Sequence, residues 1–415
     1  MGERTFVSPA AKHSTKKVGH SLRLPFDVPF LIAITMLLVF GLLMVYSASW
    51  DASLLINKPP TYIFWRQVLW VGLGSIGAFI LSLIDYHRYE KFLVIFMLII
   101  VGILLAVLIV NDIRFNSSRA LFGGSIQPAE LSKLVIILYL SFWLYKRKDN
   151  LAKISIGLLP LSVILGFIAG LILIQPDISA AATIVILGIM LFFLAGGDWK
   201  QIILFTVVGL IVGSIVVAAS STGSTRLEQY FDGLQNPVLG SYHIRRTFEA
   251  VIKGGFFGVG IGKADTKFTG LPLPHTDSIF AVIAEETGIL GGVFILVLYG
   301  LLLWRGLVIA KRAPDQLGTL LAYGFVGWII LEAMMNIAVI VGLFPFTGNA
   351  LPFISAGGSS MITTLAAMGI VMNVARSSIK HDISERSSTN AVVDLRRRDR
   401  RRGISRSNRR GSTEN

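Results

Sequence analysis

The residues in this sequence best equipped for chemistry gather beside long apolar runs. Asp277 follows Pro274-His275-Thr276 and precedes the apolar segment Ile279-Phe280-Ala281-Val282-Ile283-Ala284, which ends in Glu285-Glu286. A carboxylate at the edge of an apolar segment is costly to desolvate and usually faces a cavity or a partner. It could take a proton from a hydroxyl nucleophile as general base, or simply cap the helix that follows. A second group comprises Arg119 and Gln127-Pro128-Ala129-Glu130-Leu131-Ser132-Lys133. Glu130 and Lys133 are three apart, so on a helix they share a face and can pair, either around a ligand or to hold helices together. Gln175-Pro176-Asp177 is a third group, and the small-residue run 351–360, with Ser359-Ser360, is a fourth. Arg66 stands at the edge of an apolar run, where its guanidinium could snorkel to the interface or meet an anion.

The glycine-rich stretch 254–263 invites a nucleotide-loop reading, and its spacing rejects it. Phe257 stands where a Walker loop has its first Gly, and Ala264 replaces the Ser or Thr after Lys263. Two readings stay open for this stretch, a backbone that approaches a phosphate and a tight re-entrant turn.

These groups need elements to hold them, and the composition says of what kind. Hydrophobic residues make up 53% and charged residues 15%, against about 25% charged in soluble proteins. Apolar runs recur near 28–49, 63–84, 92–110, 131–145, 154–174, 178–196, 201–219, 288–309, 318–343 and 358–375. Most are long enough to cross a hydrocarbon core of about 30 Å as helices. The expected fold class is therefore all-α: a polytopic membrane protein of about ten transmembrane helices, with a long extracytoplasmic loop at 220–288 between helices seven and eight. The first run is too long for a cleavable signal peptide despite Ser47-Ala48-Ser49. The absence of cysteine excludes disulfides and thiol catalysis.

Lys and Arg concentrate on alternate connections: Arg4 to Arg23, Arg88 and Lys91, Lys146 to Lys153, Arg305 to Arg312, and Arg396 to Arg410. The positive-inside rule places these in the cytoplasm, so both termini are expected inside and the chemistry-bearing groups outside. This distribution accounts for the net charge of +14 without nucleic acid as a partner. The expected organisation is a cytoplasmic tail 1–27, a membrane domain 28–376 and a basic, disordered tail 377–415 that touches anionic lipid. Phe6 rules out a myristoylation signal.

At these residues the chain resembles a known family. Met44-Val45-Tyr46-Ser47-Ala48-Ser49, Ile84-Asp85-Tyr86, the run from Gln127 to Leu134, Gln175-Pro176-Asp177, the run from His275 to Ala281 and the run from Leu351 to Ser360 occur together and in order, as in the SEDS (FtsW/RodA/SpoVE) peptidoglycan polymerases. The resemblance spans roughly residues 28–376. It departs from the family at Ala120, Ser179, Ala180, Arg246, Thr247 and Ala356. It implies ten spans and polymerisation of lipid II, an undecaprenyl-pyrophosphate-linked disaccharide peptide, on the outer face of the cytoplasmic membrane. It further implies that Asp277 is the essential catalytic acid, and that Arg66, Arg119, Glu130, Lys133, His275, Ser359 and Ser360 contact substrate, with or without a divalent cation. No metal ligand set is read from the sequence. The implied partners are a class B penicillin-binding transpeptidase, other divisome membrane proteins and membrane lipids. The division septum is favoured over an elongation role. A lipid II flippase, an ion-coupled transporter and a non-catalytic scaffold are the competing classes, and none of them requires Asp277 in the same way.

Overall fold

A computed structural model describes residues 26–114, 127–235 and 241–379. Among them the chain forms α1 (Val28–Ala48), the short α2 (Trp50–Leu55), α3 (Tyr62–Leu83), α4 (Leu93–Arg114), α5 (Pro128–Arg147), α6 (Leu158–Ile174), α7 (Ile178–Leu194), α8 (Trp199–Ala219), α9 (Ser221–Gln235), α10 (Tyr242–Gly254), α11 (Ile279–Lys311), α12 (Gln316–Ile340) and α13 (Gly358–Ile379), with no strand. The chain is a multi-pass membrane protein. By length and composition, α1, α3, α4, α5, α8, α11, α12 and α13 can cross a membrane. Helices α6 and α7 are apolar but have 17 residues each, a rise of about 26 Å. They stand where the fifth and sixth spans were expected.

Hydrogen bonds tie distant connections together at each end of the bundle. At the end nearest both described termini, Asp27 caps α1 through Phe30 N at 3.1 Å and takes Arg305 Nε at 3.2 Å. Asp315 caps α12 and accepts from the Tyr86 hydroxyl at 2.9 Å, while Asn373 joins Tyr86 N to Ser82 O. Lys146 pairs with Glu90, and Gln201 reaches Ala152 O. At the opposite end, Gln67 meets Ser355 and Gly357, Gln127 meets Ser359, and Tyr230 meets Leu343. Alternate connections thus fall at alternate ends, as an up-and-down bundle requires. Helices α5, α12 and α13 sit inside, whereas α8 and the outer face of α3 leave Leu204, Val208, Ile211, Leu73, Ile76 and Phe79 exposed. In a bilayer such surfaces face lipid at no hydrophobic cost.

The connection 220–288 differs from an irregular loop. It contains α9, α10 and the first segment of α11, because the run 279–286 is buried beneath α10 rather than left in solvent. The expected eighth span, 288–309, coincides with the segment after a break at Gly288 (φ 68°, ψ −165°), and a second helical segment, 279–287, precedes it. Across that break the glycine-rich stretch lies backbone to backbone: Val259 N donates to Glu285 O (2.9 Å), Gly260 N to Glu286 O (3.0 Å), Ile289 N to Gly255 O (2.9 Å) and Leu290 N to Phe256 O (3.3 Å). A methyl on Gly258 would stand 2.2 Å from Glu286 O, and one on Gly288 would stand 2.5 Å from Gly258 N. Both glycines also adopt positive φ. Of the two readings left open, the structure shows the turn: the amides at 259 and 260 are spent on α11 carbonyls, so they do not cradle a phosphate.

At the end of the chain α13 runs on to Ile379, and Ser378 donates to Arg312 O, so the first residues expected in the tail belong to the bundle. The tails at 1–25 and 380–415, and Arg119, lie outside the described residues.

Candidate functional site

Asp277 sits on the turn before α11, and the turn is fixed through its main chain. Three consecutive carbonyls each accept a hydrogen bond: His275 O from Ala356 N (2.9 Å), Thr276 O from the Ser355 hydroxyl (2.7 Å) and Asp277 O from the Asn336 amide (3.0 Å). Asn336 also donates to Asn349 O at 2.6 Å. Gln67, 3% exposed, braces the same region by donating to Ser355 O and accepting from Gly357 N, both at 3.1 Å. Residue 278, not 277, occupies the N-cap position of α11, and its side chain makes no capping hydrogen bond. The carboxylate points towards Gly348, where a methyl would lie 3.3 Å from Oδ2.

Two histidines flank this turn. Ser278 donates its hydroxyl hydrogen to Pro272 O (2.6 Å), which leaves its oxygen to accept from His243 Nε2 (2.8 Å). Burial, then the Arg226 charge, pushes His243 down to about 4. Burial, then Arg66, pushes His275 down to about 4 as well. Both rings are therefore neutral at ordinary pH.

The second predicted group forms beside this turn. Lys133, 3% exposed, donates to Glu130 (2.7 Å) and to Glu332, with its Nζ 5.5 Å from the Trp328 ring centre. Glu332 is one helical turn before Asn336 on α12, so one helix face carries both the partner of Lys133 and the clamp on Asp277. Ser359 accepts from Gln127 N at 3.0 Å and so joins the first turn of α13 to the start of α5. The Ser360 carbonyl accepts from the Thr364 hydroxyl within α13. Arg66 is on α3 next to Gln67. The structure thus brings Arg66, Glu130, Lys133, His275, Asp277, Ser359 and Ser360 to one end of the bundle. Gln175 and Asp177 are used structurally, the first on Leu104 O and the second as the N-cap of α7.

Sequence reasoning missed Asn336, Glu332 and His243 as parts of this site. It also missed a second buried ion pair, Lys267 with Glu286 at 2.7 Å, completed by the Ser47 hydroxyl, which donates to Glu286 at 2.6 Å. Glu285 beside it accepts from Asp265 N (2.9 Å) and from the Thr266 hydroxyl. The signal was an acidic pair ending an apolar run, which demands a buried cation or donors. Among the described residues no three or more His, Asp or Glu side chains converge on a metal position. A divalent cation would therefore draw most of its ligands from substrate phosphates and water.

Residues 29–380 match the FtsW/RodA/SpoVE profile, described as cell cycle protein. The chain belongs to that family. It is similar to the stage V sporulation protein E of Bacillus subtilis (strain 168), 36% identical over 362 residues covering 84% of this chain and 97% of that one. It is 34% identical over 362 residues to a probable peptidoglycan glycosyltransferase FtsW of Trichlorobacter lovleyi, covering 85% and 95%. Among solved structures it resembles a chain of a peptidoglycan synthase complex that coordinates polymerization and crosslinking, with TM-score 0.69, 26% identity and coverage of 86% and 99%. It also resembles the rod shape determining protein RodA of Thermus thermophilus, with TM-score 0.63, 27% identity and coverage of 86% and 98%. The family match spans α1 to α13, and so includes every described residue of the Asp277 and Lys133 groups.

Proposed function

We propose that this chain is a peptidoglycan glycosyltransferase that polymerises lipid II on the outer face of the cytoplasmic membrane, with Asp277 as general base. The observation that carries the reading is the clamp on three successive carbonyls, which fixes the Asp277 turn one α12 turn from the Lys133 group. In one displacement, the acceptor hydroxyl loses its proton to the Asp277 carboxylate as its oxygen bonds to the anomeric carbon of the growing chain. The bond from that carbon to the lipid pyrophosphate breaks, and the configuration inverts. Protonated Asp277 then returns its proton to water.

Arg66, Arg119 and Lys133 are the cations assigned to the leaving pyrophosphate. Lys133 must exchange a carboxylate for phosphate to take part. The Glu130–Lys133–Glu332 group carries one formal negative charge, so the displaced carboxylate must take a proton or another donor as the phosphate arrives. His275, Ser359 and Ser360 line the same end. The arrangement has ten crossings with both termini in the cytoplasm, supported by the alternation of basic connections and by the hydrogen bonds that tie alternate connections at opposite ends.

A crosslinking class B penicillin-binding transpeptidase is the proposed partner, since a solved relative belongs to a complex that coordinates polymerization and crosslinking. Other divisome membrane proteins and a place at the division septum belong to the same proposal, supported by likeness to relatives named FtsW. The relative named for stage V sporulation favours a second setting, sporulation, for the same chemistry. Polymerisation of purified lipid II by Asp277→Ala tests the reaction. Loss of glycan product from a stable protein is expected. Retained product would remove Asp277 from the mechanism and favour a flippase or scaffold.

A further inference from the structure

A cleft of about 340 Å³ opens between α9, α10 and the connection after α12, outside the crossing helices. Its walls include Arg226, Gln229, Tyr242, His243 and Phe346. Tyr242 is 52% exposed. Phe346 is the shared partition. Its ring centre is 3.8 Å from that of His243 and 5.5 Å from the Arg226 guanidinium carbon. The point 3.3 Å from Asp277 Oδ2, where a Gly348 methyl would stand, is also 3.9 Å from two carbons of the Phe346 ring. The cleft therefore adjoins the Asp277 carboxylate with one aromatic ring between them.

Its chemistry suits sugar and peptide rather than a lipid tail. Arg226 and Gln229 offer planar arrays of donors, Tyr242 an aromatic surface with a hydroxyl, and Arg226 a positive charge for a carboxylate. The size is that of a small-ligand site. Resting on the polymerase reading above, the geometry points to this cleft as the subsite for the growing glycan chain, holding the sugar–peptide unit next to the reacting bond. Chain direction selects that occupant. Both substrates keep their lipid ends at the membrane, and the acceptor ends at its reacting hydroxyl. Only the growing chain continues past Asp277 away from the lipid, towards α9 and α10.

The test uses the full chain in nanodiscs and, as probe, a soluble uncrosslinked tetrasaccharide carrying its acidic stem peptides, with binding followed by saturation-transfer NMR and titration. The parent chain has no cysteine, so Gln229→Cys, at the wall of the cleft, can be coupled to a bulky maleimide that fills it. Wild type and Asp277→Ala should both bind the probe. The plugged Q229C protein, at unchanged melting temperature, and Arg226→Glu should bind it on the order of tenfold more weakly and make shorter glycan chains from lipid II. Equal binding by plugged and parent protein, or no binding by the parent, overturns the subsite. Retained polymerisation by Asp277→Ala instead overturns the reaction, and the binding result still decides the cleft.

Discussion

The Lys133 group and the Asp277 turn share one face of α12 and are held by opposite means. At Lys133 the side chains hold one another: an ammonium and two carboxylates, closed off from solvent. At Asp277 the main chain is held, through three carbonyls bound by Ala356, Ser355 and Asn336. A group whose side chains do the fixing contributes to stability through those side chains. A turn fixed through its backbone can present a side chain whose position does not depend on that side chain alone.

That contrast can be broken by mutation. Lys133→Met leaves Glu130 and Glu332 buried without their cation and should cost about 3–5 kcal/mol, read as a large fall in melting temperature in detergent. Combining it with Glu130→Gln and Glu332→Gln should restore most of the loss. Asp277→Asn should lower polymerisation roughly a hundredfold or more while the melting temperature stays put. Equal destabilisation by the two single changes would erase the distinction. Next in size, Asn336→Ala removes the donor to Asp277 O and Asn349 O. It should cost about 1–3 kcal/mol and lower kcat more than it changes KM, because the turn loses its aim rather than its ligands.

The smallest effect is a pH dependence. His243 and His275, both near 4 when folded, titrate near 6.5 when unfolded. Between those values the unfolded chain binds more protons, so stability should rise with pH from about 4 to about 6.5 and level off above. His243→Gln and His275→Gln should each flatten that slope in melting curves taken across the range. An unchanged slope in the double variant would show that neither ring is buried neutral.

How far this was legible follows from which contacts are local. Glu130 and Lys133 pair within one helical turn, so their spacing gave the pair. Glu332 joins from 199 residues away; a lone carboxylate inside the apolar run 318–343 demanded a buried partner, but the sequence did not say which cation supplies it. The carbonyl clamp was invisible because backbone acceptors carry no residue identity. Only its donors, Ser355 and Asn336, could have hinted at it, and Ser355 did so only as part of a small-residue run. Apolar length located the helices but not their neighbours: α8, bare to lipid, and α13, buried in the bundle, both read simply as spans, because a bilayer rewards apolar surface inside and outside alike. The expected span began at 288, where the break falls, but the preceding helix escaped because the apolar run 279–284 is too short to register as a span, although it packs like one.

The seam at Gly258 and Gly288 has a mechanical meaning. Chain entering it at Gly255 and Phe256 and chain leaving it at Ile289 and Leu290 are fastened to each other, so everything between, including the Asp277 turn, is a noose drawn shut at one knot. A pull on the noose arrives at that knot and is handed to the long half of α11, because four backbone hydrogen bonds join the two stretches of chain there.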